Sequence, residues 1–232
     1  MNILVVSPLK KELKIVMQTL GLFDELIYRC LSNGCPVWEH PGKKIVFTYL
    51  GVGQSEFQKN FKNMLGTLES LEQVICVGSC GALNNETQLA EVFTFGHKAI
   101  SETNYVSVEE QKDTVTSDSS PTSKSLFSLN SNEPGPEKSA AGSVKLAKSY
   151  VRSDVGPIEE SERIALLAEG YVCVTQEGFL GEGYAGGVAL LEIRGVTDYS
   201  DSAFQADFHL NLEQALMSCA KVLGQILKIH ID

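Results

Sequence analysis

The chain has 232 residues, 43% of them hydrophobic, a length at which a single α/β domain of about 200–250 residues buries one substantial core. Its 29 acidic residues against 19 basic ones give a net charge of −10, which argues against nucleic acid or an anionic membrane surface as partner.

Short β-branched runs alternate with helical patterns, so the expected fold class is α/β, one domain over 1–232, with a central twisted mixed sheet in an α/β/α sandwich. Ile3 to Val6 reads as a strand. Leu9 to Gly21 reads as a helix with Leu9, Leu13, Val16, Met17 and Leu20 at helical spacing. Val37–Trp38 and Lys44–Leu50 read as a hairpin that runs into Gly51-Val52-Gly53 and a helix from Ser55 to about Leu68. Gln73 to Val77 is a buried strand, and Gly78-Ser79-Cys80-Gly81 reads as a turn whose glycines let backbone N–H groups approach a ligand. Val92 to Ile100 continues the sheet. From about 106 to 142 the chain is rich in Ser, Thr, Asn, Glu and Pro with minimal apolar runs, the composition of an insertion or lid that buries little surface. Pro157 to Ala168 and Ala203 to Ile229 read as helices. Between them, Val188 to Thr197 is a buried strand that stops at Asp198.

Groups just past the carboxyl ends of strands are where α/β domains place their chemistry, which singles out Asp198, with Glu12 and Glu177 in comparable positions. Taken one at a time, each carboxylate is better explained as a helix cap or a surface charge; their combination suggests a shared pocket. The six cysteines, Cys30, Cys35, Cys76, Cys80, Cys173 and Cys219, are scattered, four within apolar runs, without zinc-ligand spacing. No metal or organic cofactor is expected. No apolar run approaches the roughly 18–20 residues of a membrane span, and the N-terminal run is too short for a signal peptide. A reducing cytoplasm is the expected compartment.

Five segments together resemble a known family: Ile3-Leu-Val-Val-Ser-Pro-Leu-Lys-Lys-Glu12-Leu13, Gly51-Val-Gly53-Gln, Val77-Gly-Ser-Cys-Gly-Ala-Leu83, Gln176-Glu-Gly-Phe179 and Arg194-Gly-Val-Thr-Asp198. Their order and spacing are similar to those of the nucleoside phosphorylases and nucleosidases, above all the methylthioadenosine/S-adenosylhomocysteine nucleosidases and the futalosine and aminodeoxyfutalosine hydrolases of menaquinone biosynthesis. The likeness spans about residues 1–104 and 150–230. It implies a nucleoside phosphorylase-like fold, a purine nucleoside as ligand, no cofactor, and a homodimer.

The resemblance also implies roles. Asp198 protonates N7 of the departing base, Glu12 is the general base for water, and Glu177 takes the ribose hydroxyls. Ser79 and Arg194 position the water and the neighbouring carboxylates, Phe208 packs on the base, and Val155 and Gly156 offer backbone groups to the purine edge. Gln176, Gly81, Thr197 and Val52 complete the expected substrate-binding set. The family's phosphate-binding arginine falls on Cys76 here, which favours water over phosphate as nucleophile. Gln176 replaces the usual methionine against the ribose, and the Gln-Glu-Gly-Phe form resembles the futalosine branch. Methylthioadenosine/S-adenosylhomocysteine hydrolysis is the alternative, and a non-catalytic nucleoside-binding protein is the rival of another class. A Rossmann dinucleotide site fits less well, since Gly51-Val52-Gly53 lacks the third glycine and a following acidic partner.

Overall fold

The computed structural model describes residues 2–31, 34–68, 70–97, 144–146, 148–152, 156–179, 188–229 and 231. The expectations placed on Ile100, Val155 and the 106–142 insertion lie outside them. Ten strands are present among these residues: β1 (Asn2–Ser7), β2 (Ile27–Cys30), β3 (Pro36–His40), β4 (Ile45–Tyr49), β5 (Leu71–Ala82), β6 (Val92–His97), β7 (Val144–Leu146), β8 (Lys148–Val151), β9 (Tyr171–Thr175) and β10 (Ala189–Asp198). The helices are α1 (Lys10–Thr19), α2 (Gln54–Thr67), α3 (Glu160–Ala168) and α4 (Phe204–Leu227).

The strands form one mixed sheet in the order β2-β3-β4-β1-β5-β10-β6-β7, with β9 pairing β5 and β8 pairing β9. At its centre β1, β4, β5 and β10 are parallel. Such strands are buried on both faces and read as continuous apolar runs. On β1 the period of two sends Ile3 and Val5 to one side, where Leu13, Val16 and Met17 of α1 and Leu212, Leu216 and Leu223 of α4 cover them. Leu4 and Val6 point the other way, onto Phe57, Phe61 and Met64 of α2. The three-layer α/β/α arrangement follows from this division, and α3 packs at the β9 edge.

Three expectations are corrected. Residues 78–81 are not a turn: β5 runs unbroken through them to Ala82, held by β10 on one side and, at its end, by β9 on the other. The helix expected from Pro157 begins at Glu160, because the Ile158 N–H donates to the Ser200 carbonyl (2.8 Å) and keeps that stretch extended. β2, β8 and β9 lie in segments that carried no strand expectation. β2 is exposed along its length and has no core face to mark it.

α4 crosses β10 so closely that a side chain at Gly195 would not fit: a Cβ there would lie 2.6 Å from the Ala215 carbonyl oxygen and 2.9 Å from Cys219 Sγ. Gly195→Ala should destabilise the protein by about 1–3 kcal/mol through overpacking. An unchanged denaturant midpoint in equilibrium unfolding would contradict this helix–strand contact.

Candidate active site

A cavity of about 430 Å³ opens at the carboxyl ends of the parallel strands, where α/β sheets place their ligands. Its lining includes Glu12, Glu177 and Asp198, and with them Val52, Ser79, Gly81, Gly156, Gln176, Thr197 and Phe208. Three acids far apart in sequence thus share one cavity, all of them buried, with exposures of 1%, 7% and 7%.

Glu12 stands at the third position of α1. Its Oε2 accepts the Leu9 N–H (3.2 Å) and the Ser7 hydroxyl (3.1 Å), and its Oε1 accepts the Ser79 N–H (3.0 Å) and hydroxyl (2.7 Å). The same carboxylate therefore satisfies an orphan donor at the start of α1 and faces the cavity. The cap and the site are one group.

Asp198 ends β10 after a register shift between Val196 and Asp198 that leaves Thr197 bulged. A bulge turns the strand locally and re-aims the following side chain. The Thr197 hydroxyl bonds to Asp198 Oδ2 (2.8 Å), and the Ser200 N–H donates to Oδ1 (2.9 Å). Burial raises the Asp198 carboxyl above its ordinary pKa, the Thr197 and Ser200 bonds oppose this, and Asp207 and Asp201 add to the rise. Arg163 of α3 fixes the turn behind it, donating to the carbonyls of Leu83 (3.0 Å), Tyr199 (2.8 Å) and Ser200 (3.2 Å).

Glu177 follows β9 and meets the start of α2, where the Gly53 N–H donates to its Oε1 at 2.6 Å. A helix N-terminus suits an anion. The Gln54 side chain pairs with both backbone groups of Gly178, at 2.8 and 2.9 Å. Burial raises the Glu177 pKa, Gly53 and Arg194 oppose the rise, and Glu12 adds to it.

The space left by the missing side chains of Gly78 and Gly81 is filled by protein groups, while Gly81 also lines the cavity. A Cβ on Gly81 would meet Ser200 Oγ and lie 2.6 Å from Asp198 Oδ1, and one on Gly78 would lie 2.6 Å from Arg194 Nη1 and 3.5 Å from Glu12 Oε2. Arg194, expected to contact substrate, is fully buried and outside the cavity lining. It lies behind the wall, bound to Glu192 (2.9 and 3.0 Å) and to the Glu177 carbonyl. The structure adds lining residues the motifs did not single out: Leu9, Cys80, Arg152, Ile158, Thr175, Phe204, Gln205 and His209 among them. Thr175 is 3% exposed, and its buried hydroxyl has no partner among the described residues. Its place directly before Gln176-Glu177 was the available signal. Among the described residues no group of three or more His, Cys, Asp or Glu is arranged to hold a metal ion, and no helix is long and apolar enough to cross a membrane.

These features define an α/β protein with a carboxylate-lined cavity at its strand ends. No protein-family model matches the chain, and no curated protein sequence does. Solved structures do, and they show the nucleoside phosphorylase fold over nearly the whole length. The futalosine hydrolase of Helicobacter pylori strain 26695 matches with a TM-score of 0.69 and 14% identity, covering 98% of this chain and 97% of that one. The MTA/SAH nucleosidase of Streptococcus pneumoniae, in complex with 8-aminoadenine, matches at 0.69 and 16%, covering 99% and 100%. The 5′-methylthioadenosine/S-adenosylhomocysteine nucleosidase of Neisseria meningitidis, in complex with methylthio-immucillin-A, matches at 0.66 and 14%, covering 98% of each.

The raised pKa of Asp198 gives a signed prediction. Its stabilising contribution is fully present below the unfolded value, ordinarily 3.8, and is lost as pH rises through the higher folded value. Asp198→Asn removes this titration, whereas Glu177, shifted in the same direction, keeps its share. The variant should therefore lose less stability than the parent as pH rises from about 4 to 8. Parallel stability–pH curves from urea unfolding would count against a buried, proton-holding Asp198.

Proposed function

We propose that this protein is a nucleosidase that hydrolyses the N-ribosidic bond of a 5′-substituted purine nucleoside and releases the free base. The observation that carries the reading is the convergence of Glu12, Glu177 and Asp198 on one cavity. In this scheme Asp198, whose carboxyl is raised above its ordinary pKa by burial, gives a proton to N7 as the C1′–N9 bond breaks and its electron pair moves into the base. Glu177 binds the ribose hydroxyls of the resulting oxocarbenium-like sugar. Water, held beside Ser79, adds its oxygen to C1′ and passes its proton to Glu12. Gly156 and Ile158 flank the base, with Gln176 and Thr175 alongside the sugar.

The preferred substrate type in this reading is futalosine or aminodeoxyfutalosine. Leu9, Val52, Phe204 and Phe208 supply an apolar wall, and Gln205 and His209 on α4 add N–H groups beside it, a mixture suited to a carboxyphenyl 5′ substituent. Methylthioadenosine or S-adenosylhomocysteine is the second reading, supported by the equal TM-scores of the two kinds of structural neighbour. The protein is proposed to act as a homodimer, with the half-exposed Val52 at the rim closed over by a second copy.

Purified protein offered futalosine, aminodeoxyfutalosine, methylthioadenosine and S-adenosylhomocysteine in phosphate-free buffer should release base from at least one. Asp198→Asn should slow that release about 10²- to 10⁴-fold. Release that requires added phosphate would replace hydrolysis by phosphorolysis. Undiminished release by the variant would remove Asp198 from the mechanism.

A further inference from the structure

Two charged side chains sit side by side in the middle of β10, and the cavity chemistry uses neither directly. Glu192 and Arg194 are both 0% exposed. Glu192 Oε2 accepts two bonds from the guanidinium, from Nε at 3.0 Å and from Nη2 at 2.9 Å. A buried ion pair of this kind contributes no more stability than an apolar pair of similar volume, and often less, because both charges must be stripped of water. Its presence between apolar neighbours therefore calls for a reason other than stability, and the remaining contacts of the two groups supply one.

Those contacts converge on residues 177–179. Glu192 Oε1 accepts the Phe179 N–H at 2.7 Å, and Arg194 Nη2 donates to the Glu177 carbonyl. Between them, Gly178 lies so close that a Cβ there would stand 3.2 Å from Glu192 Oε1 and 2.9 Å from Val151 Cγ2. The pair grips the backbone on both sides of the peptide that carries the Glu177 side chain. The carboxylate end of that side chain is fixed separately by the Gly53 N–H. Glu177 is thus held at two points, its carbonyl by Arg194 and its carboxylate by Gly53. Charged partners strengthen each of these bonds relative to neutral ones.

We infer that Glu192 is a positioning residue for Glu177, acting through Arg194 and the 177–179 backbone to fix the carboxylate that receives the ribose hydroxyls. The ribose role rests on the nucleosidase reading; the clamp itself does not. Glu192→Gln keeps the shape of the side chain but removes its charge and turns one acceptor into an N–H₂ group facing Arg194. Glu192→Asp keeps the charge and shortens the reach, and serves where the Gln variant does not fold.

Two measurements on the full-length protein test the inference. The first is residue-resolved amide exchange without ligand. Either variant should speed exchange at Phe179 and at Gly53, whose N–H bonds to the Glu177 carboxylate, about tenfold or more, while Leu216 in α4 keeps its protection. Unchanged exchange at Gly53, or equal acceleration at Leu216, would overturn the assignment. The second is the kinetic comparison of 5′-methylthioadenosine with its 2′,3′-dideoxy analogue. The Gln variant should lose roughly 10- to 100-fold in kcat/KM on the ribonucleoside and less than about twofold on the dideoxynucleoside, since a carboxylate with no 2′- or 3′-hydroxyl to grip gains little from being aimed. Equal losses on both substrates would reduce Glu192 to a structural residue. If the parent protein turns over neither nucleoside nor any of the other three, the nucleosidase reading falls, and the exchange measurement still decides the clamp.

Discussion

A bare strip of backbone organises the site. In the second half of β5 the chain passes between β10 and β9 with glycine at 78 and 81, and Arg194, Asp198 and Ser200 approach to distances that a Cβ would forbid, with Glu12 in contact range of Gly78. Ser79, between the two glycines, offers both its N–H and its hydroxyl to Glu12. Side chains from α1 and β10 can therefore meet at one point although a strand lies between their elements. Alanine at 81 would displace Asp198 and Ser200, and alanine at 78 would displace the Arg194 guanidinium.

The three acids are given different surroundings, and difference of environment is how like groups acquire unlike roles. Glu12 is surrounded by four donors from the end of β1, the residue before α1 and β5. Asp198 receives two donors and is raised by burial, with Asp201 and Asp207 nearby. Glu177 receives the Gly53 N–H at the start of α2 while its own backbone is gripped from the opposite side. A base toward water, a proton-donating acid and an acceptor for hydroxyls are compatible with these three settings in that order.

Much of this was legible in the sequence because the central strands are apolar on both faces, and β10 stops abruptly at Asp198. β1, β5 and β10, and the helices that cover them, follow from that pattern, and Asp198 follows from the abrupt stop of β10. β8 and β9 escaped because they are short and sit beside segments whose composition says little. The glycines at 78 and 81 were read as a turn, since sequence alone does not distinguish glycine needed for backbone conformation from glycine needed for space. Arg194 was expected to position the water and the neighbouring carboxylates; it reaches Glu177 through the backbone carbonyl, from behind the cavity wall, since a motif gives position along a strand and not the face. Its neighbour two residues back was the missed signal. Glu192 and Arg194 share one face of a strand that is otherwise apolar, and charges at that spacing inside a core require each other.

The same pair bears on the choice of nucleophile. The absence of an arginine at Cys76 suggested that a phosphate cradle is lost, yet a guanidinium does reach that place from the next strand, with Arg194 Nη2 3.3 Å from Cys76 Sγ. What matters is the net charge it presents. Glu192 matches it at 2.9 Å, its Nη2 is committed to the Glu177 carbonyl, and Glu12 adds a carboxylate beside the same glycine. At an effective dielectric constant of about 20, like charges about 4 Å apart repel by on the order of 4 kcal/mol, so a phosphate near Glu12 would face that opposition, and Arg194, matched by Glu192, does not offset it. Water carries no charge and meets none of it. The arginine thus supports hydrolysis despite being present, because its partner has already taken the charge that phosphate would need.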